Sequence, residues 1–124
     1  MFKINANQVQ DIEAKALDDF LDEMDSWAVE THGLLVASQP AGAVRSEVLR
    51  ARSLGFVLRG HAKRWLDLGF DMGMPFAEAG EAAKIAADTS MPPAVRLDVL
   101  EREALVVLLE QEEQEEEEVF RHAV

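Results

Sequence analysis

Hydrophobic positions along the chain recur at steps of three and four, the spacing of residues on one face of an α-helix. The first such stripe is Val9, Ile12, Ala16, Phe20, Met24 and Trp27, widened by Leu17 and Leu21. Acids at Asp11, Asp18, Asp19, Asp22, Glu23, Asp25 and Glu30 fill the remaining surface. This pattern predicts a helix over about residues 6–32. Asn5 is its expected N-cap, Gln8 stands at the capping-box position, and Ile4 and Val9 form the hydrophobic staple. Gly33 is the expected stop, because glycine tolerates the left-handed conformation that closes a helix.

Four more helices follow from the same reading. Residues 33–42 read as a connector punctuated by Pro40 and Gly42, with Leu34 to Val36 tucked into the core. Val44, Val48, Ala51 and Leu54 mark a helix over about 43–54, ended by Gly55. Ala62, Trp65, Leu66, Gly69 and Phe70 mark one over about 59–72, in which Gly69 implies the close approach of a neighbouring helix. A short, alanine-rich helix is expected from Pro75 to Ala87 on Phe76, Ala79, Ala83 and Ala86. The fifth opens with Ser90 as N-cap and prolines in its first turn, where N–H groups have no helical acceptor. Its core stripe is Leu97, Leu100, Ala104, Val107 and Leu108. No stretch alternates with period two between hairpin turns, so strands are not expected. The fold class is all-α. A single-domain bundle of about five helices over residues 1–109 is expected, with a long N-terminal helix and an acidic C-terminal tail at 110–124.

Length and composition narrow the function classes. The chain has 124 residues, enough for one domain. It has no cysteine, which excludes disulfides, thiolate metal sites and cysteine nucleophiles. The formal net charge is −12, which disfavours nucleic acid and anionic membranes as partners. The longest apolar run, Ala104 to Leu109, is far short of the roughly 20 residues a membrane helix needs. No leader is visible at the N-terminus, and a cytoplasmic location is expected.

Charge is segregated along the chain. Residues 1–42 carry −6, residues 43–64 carry +5, residues 65–109 carry −5 and residues 110–124 carry −6. The basic island comprises Arg45, Arg50, Arg52, Arg59, Lys63 and Arg64, with Glu47 its one acid. Two uses of the island fit its setting between acidic segments: pairing against the first helix, or gripping an acidic patch on a partner. The stretch from Glu110 to Glu118 is seven glutamates and two glutamines. Like charges repel and acids at a helix C-terminus oppose the macrodipole, so the fifth helix is expected to extend a few turns and then fray.

Chemistry-bearing patterns are sparse. His32, His61 and His122 do not form an HExxH or Glu-x-x-His pair. Serines at 26, 38, 46, 53 and 90 lie outside any G-x-S-x-G elbow, and no phosphate-binding glycine loop is present. Asp18, Asp22 and Asp25 share a helix face, as expected of a solvated acidic surface. Trp27 and Trp65 fall on core stripes. No catalytic residue, metal ligand or cofactor is expected.

Several segments in order resemble a family of small all-helical proteins associated with type VI secretion loci. They are FLDEM at 20–24 followed by Thr31-His32, VRSEVLRARSLGF at 44–56, WLDLGFDMGMPF at 65–76 and ADTSMPPAVRLDVL at 87–100. Together they span about residues 1–105. The resemblance implies a non-enzymatic co-chaperone or adaptor that handles an effector before export, with an effector or effector chaperone as protein partner. It carries no active-site residues. The expected partner surface is Arg45, Arg50, Arg52, Phe56, Val57, Leu58, Arg59, Lys63 and Arg64. Two other functions fit the same composition: an immunity protein whose acidity masks a basic toxin cleft, and a generic helical interaction domain. The first helix could also serve as the seam of a homo-oligomer.

Overall fold

A computed structural model describes residues 6–123. Five helices make up the fold in the order α1 (Ala6–Ala37), α2 (Ala43–Ser53), α3 (Arg59–Met72), α4 (Gly80–Ala87) and α5 (Pro93–Ala123), and no strand occurs among the described residues. The expected cap at Asn5 and the Ile4 half of the staple lie outside the described residues.

The short helices α2 and α3 form a central layer with a core on each side. Val44 and Val48 of α2, with Ala62, Leu66 and Phe70 of α3, pack against Leu21, Met24 and Ala28 of α1. Ala51, Trp65 and Leu68 turn the other way, onto Ala86 of α4 and Leu97, Leu100 and Ala104 of α5. Phe56 and Phe76, one from each flanking loop, complete that second core. Both rings sit 5.2 Å from the Trp65 ring, Phe56 stacked and Phe76 edge-on.

Two buried ionic groups tie the layers together. Glu47 lies inside α2's apolar face, and its Oε1 accepts from the Trp65 indole N–H (2.9 Å), the Phe76 backbone N–H (3.2 Å) and Arg50 (3.0 Å). Arg96 lies inside α5's apolar face. Its Nη1 donates to the carbonyls of Leu54 (2.6 Å) and Ala86 (2.7 Å), and its guanidinium lies 4.6 Å above the Phe56 ring. Those carbonyls belong to the C-terminal ends of α2 and α4, where unpaired C=O groups and the negative ends of two macrodipoles favour a cation.

Several local expectations are corrected. The helical path kinks at His32 (φ −131°, ψ 35°) and resumes to Ala37, so Gly33 does not stop it. His32 Nε2 lies 2.7 Å from Asp67 Oδ1 and its ring 4.5 Å from Phe70, contacts that draw it onto α3. Leu34 is 91% exposed and Leu35 is exposed too; of that trio Val36 alone packs on the core. The stripe on α1 packs against the core only from Leu17 onward, while Val9, Ile12 and Ala16 are exposed. α4 starts at Gly80, because Phe76 is committed to the core and its N–H to Glu47. At Gly69 the nearest groups belong to the returning loop rather than to a neighbouring helix; an added Cβ would meet Met74 at 3.2 Å and Phe76 at 3.7 Å. Ser90 does not cap α5. Its N–H and hydroxyl instead donate to Asp88, whose pKa those two bonds hold below the usual carboxylate value, and Pro92 O accepts the first helical bond from Arg96. α5 is helical through the glutamate run to Ala123. Glutamate and glutamine are good helix formers, and Arg121 and His122 complement the last turn.

Gly55 forms the α2–α3 turn with φ +100°, and a Cβ there would lie 3.0 Å from Arg96 Nη2. A side chain would both strain the backbone and push the guanidinium off its carbonyls. Gly55→Ala is expected to destabilise the fold by about 2 kcal/mol, read as a lowered denaturant midpoint at unchanged slope.

Candidate functional site

The basic island is largely consumed inside the molecule. Arg45 bonds Asp18 (2.8 Å), Asp22 (2.6 Å) and Asp25 (3.0 Å), three acids that i, i+3 and i+4 spacing lines up on α1. Its hydrogen bonds to Asp22 and Asp25 raise the guanidinium pKa above its ordinary value. Arg59 grips both oxygens of Glu23 at 2.8 and 2.9 Å. Arg64 spans Glu101 and Asp98 on α5, each at 2.7 Å, and the Glu101 bond leads in raising its pKa. Arg50 is held by Glu47 and lies 5.5 Å over the Trp65 ring.

Two cations of the island have no carboxylate partner among the described residues. Arg52 lies 5.6 Å over the Phe20 ring, and Lys63 Nζ lies 5.7 Å over the Trp27 ring. Phe56, expected at the partner surface, is 0% exposed and belongs to the core. Its neighbours Val57 and Leu58 are exposed at the α2–α3 turn. The sequence-derived surface therefore reduces to Arg52, Val57, Leu58 and Lys63 as groups free of internal ion pairs.

Two other surfaces stand out. The first is an open groove of about 630 Å³ floored by Ala14, Ala16, Leu17 and Phe20 and edged by Glu13, Arg52 and Arg59. It forms because the N-terminal third of α1 runs past the ends of α2 and α3, leaving residues 6–16 exposed.

The second is the far half of α5. Every residue from Leu108 to His122 is exposed, a helical arm about 22 Å long at ~1.5 Å per residue. At 100° per residue, Leu105, Leu109, Glu112, Glu116, Val119 and Phe120 share one face. Val119 is 68% exposed and Phe120 73%. Apolar side chains thus bracket two carboxylates on a helix with no body of its own to pack on. The alignment of Val119 and Phe120 with Leu105 and Leu109 depends on the helix staying continuous through the glutamates.

Among the described residues, no group of three or more histidines and carboxylates is placed to hold a metal ion. His32 and Asp67 form a bonded pair, but the ring is packed between Trp27 and Phe70. Among the described residues, no helix is long and apolar enough to cross a membrane. Compared with protein-family models, curated proteins and solved structures, the chain matches none of them.

Proposed function

We propose that this chain is a non-enzymatic accessory protein that holds a segment of another polypeptide along the exposed half of α5. The observation carrying this reading is the arm itself: four turns of helix beyond the last packed residue, with apolar side chains at both ends of one face. An isolated helix of this length is marginal in water. A partner supplies the packing that the body does not. The complementary segment is amphipathic and basic, because the arm's face alternates apolar anchors with glutamates and residues 110–124 sum to −6. The resemblance to the secretion-associated helical family supports a co-chaperone or loading-adaptor role, with an effector or its chaperone as the partner.

Affinity capture from the source cells, compared between the native chain and Leu109→Glu/Phe120→Glu, tests this. Both side chains are solvent-exposed, so the fold should be unchanged by circular dichroism. The expected result is at least a ~10-fold loss of the captured polypeptide, as for interface anchors. Equal capture by both chains contradicts the reading.

The arm's acidity also favours a second reading, an immunity protein covering a basic toxin cleft. Co-expression separates the two. An immunity protein restores growth to cells making the toxin, whereas an adaptor raises effector abundance or export without rescue.

A further inference from the structure

The exposed N-terminal third of α1 and the groove beside it are complementary to each other. On a helix advancing 100° per residue, Val9, Ile12, Ala16 and Phe20 fall in one stripe about 80° wide. Ala16 is its smallest member and lies midway between Ile12 and Phe20. On the edge nearest the body, Glu13 faces the groove, where Arg52 has no carboxylate partner among the described residues. On the outer edge, Lys15 and Asp19 are both exposed and enter no ion pair among the described residues. The patch therefore holds an apolar strip, one unmatched acid and one unmatched base on each of its edges.

We propose that two copies of this chain associate through this face, their α1 helices antiparallel about a two-fold axis at Ala16. A two-fold interface requires a patch that complements itself, each residue meeting the same pair of partners from both sides. Centred on Ala16, the antiparallel register places Ile12 of one copy opposite Phe20 of the other. Small side chains at the crossing point let the helices approach closely. Equivalent edges of antiparallel helices face each other. Glu13 of one copy then stands one residue from the level of the other's Phe20, over which Arg52 lies. On the outer edge Lys15 stands within one turn of the other copy's Asp19. The pairing thus forms two kinds of intermolecular ion pair, each occurring twice. Neither body obstructs the other, because each extends from Leu17 toward its own Ala37 and the two run in opposite directions. The exposed Val57 and Leu58 lie at the end of the body where the two copies meet.

This dimer uses α1 and leaves the α5 arm free, so it stands or falls separately from the function proposed above. The test is sedimentation equilibrium of the full chain at high micromolar concentration and moderate salt. The native chain is expected at twice its 13.8 kDa mass. Ala16→Glu places two carboxylates at the axis and is expected to give a monomer; since Ala16 is exposed, its helical content and thermal midpoint should stay native. Glu13→Arg and Arg52→Glu are each expected to weaken association about tenfold, and the double exchange to restore most of that loss. A native chain that sediments as a monomer overturns the proposal. So does an Ala16→Glu chain that remains a dimer, or a double exchange no better than its single variants.

Discussion

Replacing Glu47 with alanine is expected to destabilise the fold by about 3–5 kcal/mol, the largest effect of any single substitution considered. One carboxylate oxygen serves the Trp65 indole, the Phe76 backbone and Arg50. Its loss leaves two buried N–H donors without an acceptor and Arg50 without its counter-charge. The damage extends beyond α2. Trp65 anchors the α3–α5 core, and Phe76 pins the loop that returns from α3. Glu47→Gln separates the hydrogen-bonding role from the charge. An amide oxygen can accept the same donors, so its cost should be about 1–2 kcal/mol, with the remainder of the alanine loss assigned to orphaned donors. Chemical denaturation of the three proteins gives the comparison directly. Near-ultraviolet circular dichroism should show the Trp65 environment lost in the alanine variant and retained in the glutamine variant. Equal losses for glutamine and alanine would place the effect in the charge instead.

Arg96 is expected to rank second. It is 4% exposed and holds two helix C-termini together through Leu54 and Ala86. Arg96→Ala removes both bonds, the cover over Phe56 and the volume of the side chain, at a cost of about 3–4 kcal/mol. Arg96→Met keeps an unbranched stem over the Phe56 ring and leaves only the two carbonyls unbonded. Methionine also removes a buried cation whose Nε has no partner among the described residues, which offsets part of the loss. The expected order of stability is native, then methionine, then alanine, with methionine about 2 kcal/mol below native. A methionine variant as stable as the native chain would show that the cation contributes nothing net. In a domain of this size 1 kcal/mol corresponds to roughly 3–5 °C, so each step is resolvable by thermal unfolding.

Both residues could be found in the sequence by a rule that periodicity alone does not apply. Glu47 is flanked by Val44, Val48 and Ala51, and Arg96 by Leu97 and Leu100, so each charge falls inside an apolar stripe. A charge placed there must be paired or bonded when buried. The all-helical architecture was legible because four of the stripes are amphipathic and the turns between them carry glycine or proline. The face of α3 was read correctly down to Gly69, but what meets Gly69 was not, since a returning loop and a neighbouring helix leave the same glycine behind. Whether the first third of α1 faces the core or a second copy could not be read from the stripe, for a simple reason. Periodicity shows which side chains share a face and does not show whether anything covers it.

The basic island illustrates a related limit. Six cations in 22 residues leave two uses open, pairing against the first helix or gripping a partner, and spacing alone does not choose between them. The acids that take up Arg45 and Arg59 lie on α1, and those that take up Arg64 lie on α5, at separations of 20 to 37 residues. Their pairing depends on tertiary packing. Val57 and Leu58 stayed available, while the adjacent Phe56 was drawn under Arg96 and Trp65 to close the second core.

Hydrogen exchange of α5, with and without the captured partner, tests the central reading most directly. Amides of residues 108–122 should exchange quickly in the free chain, because their hydrogen bonds are exposed and no side chain packs over them. Bound to the polypeptide that it holds, the same amides should become protected while those of α2 and α3 stay as slow as before. Partner binding that protects other helices and leaves this segment exchanging freely would contradict the account.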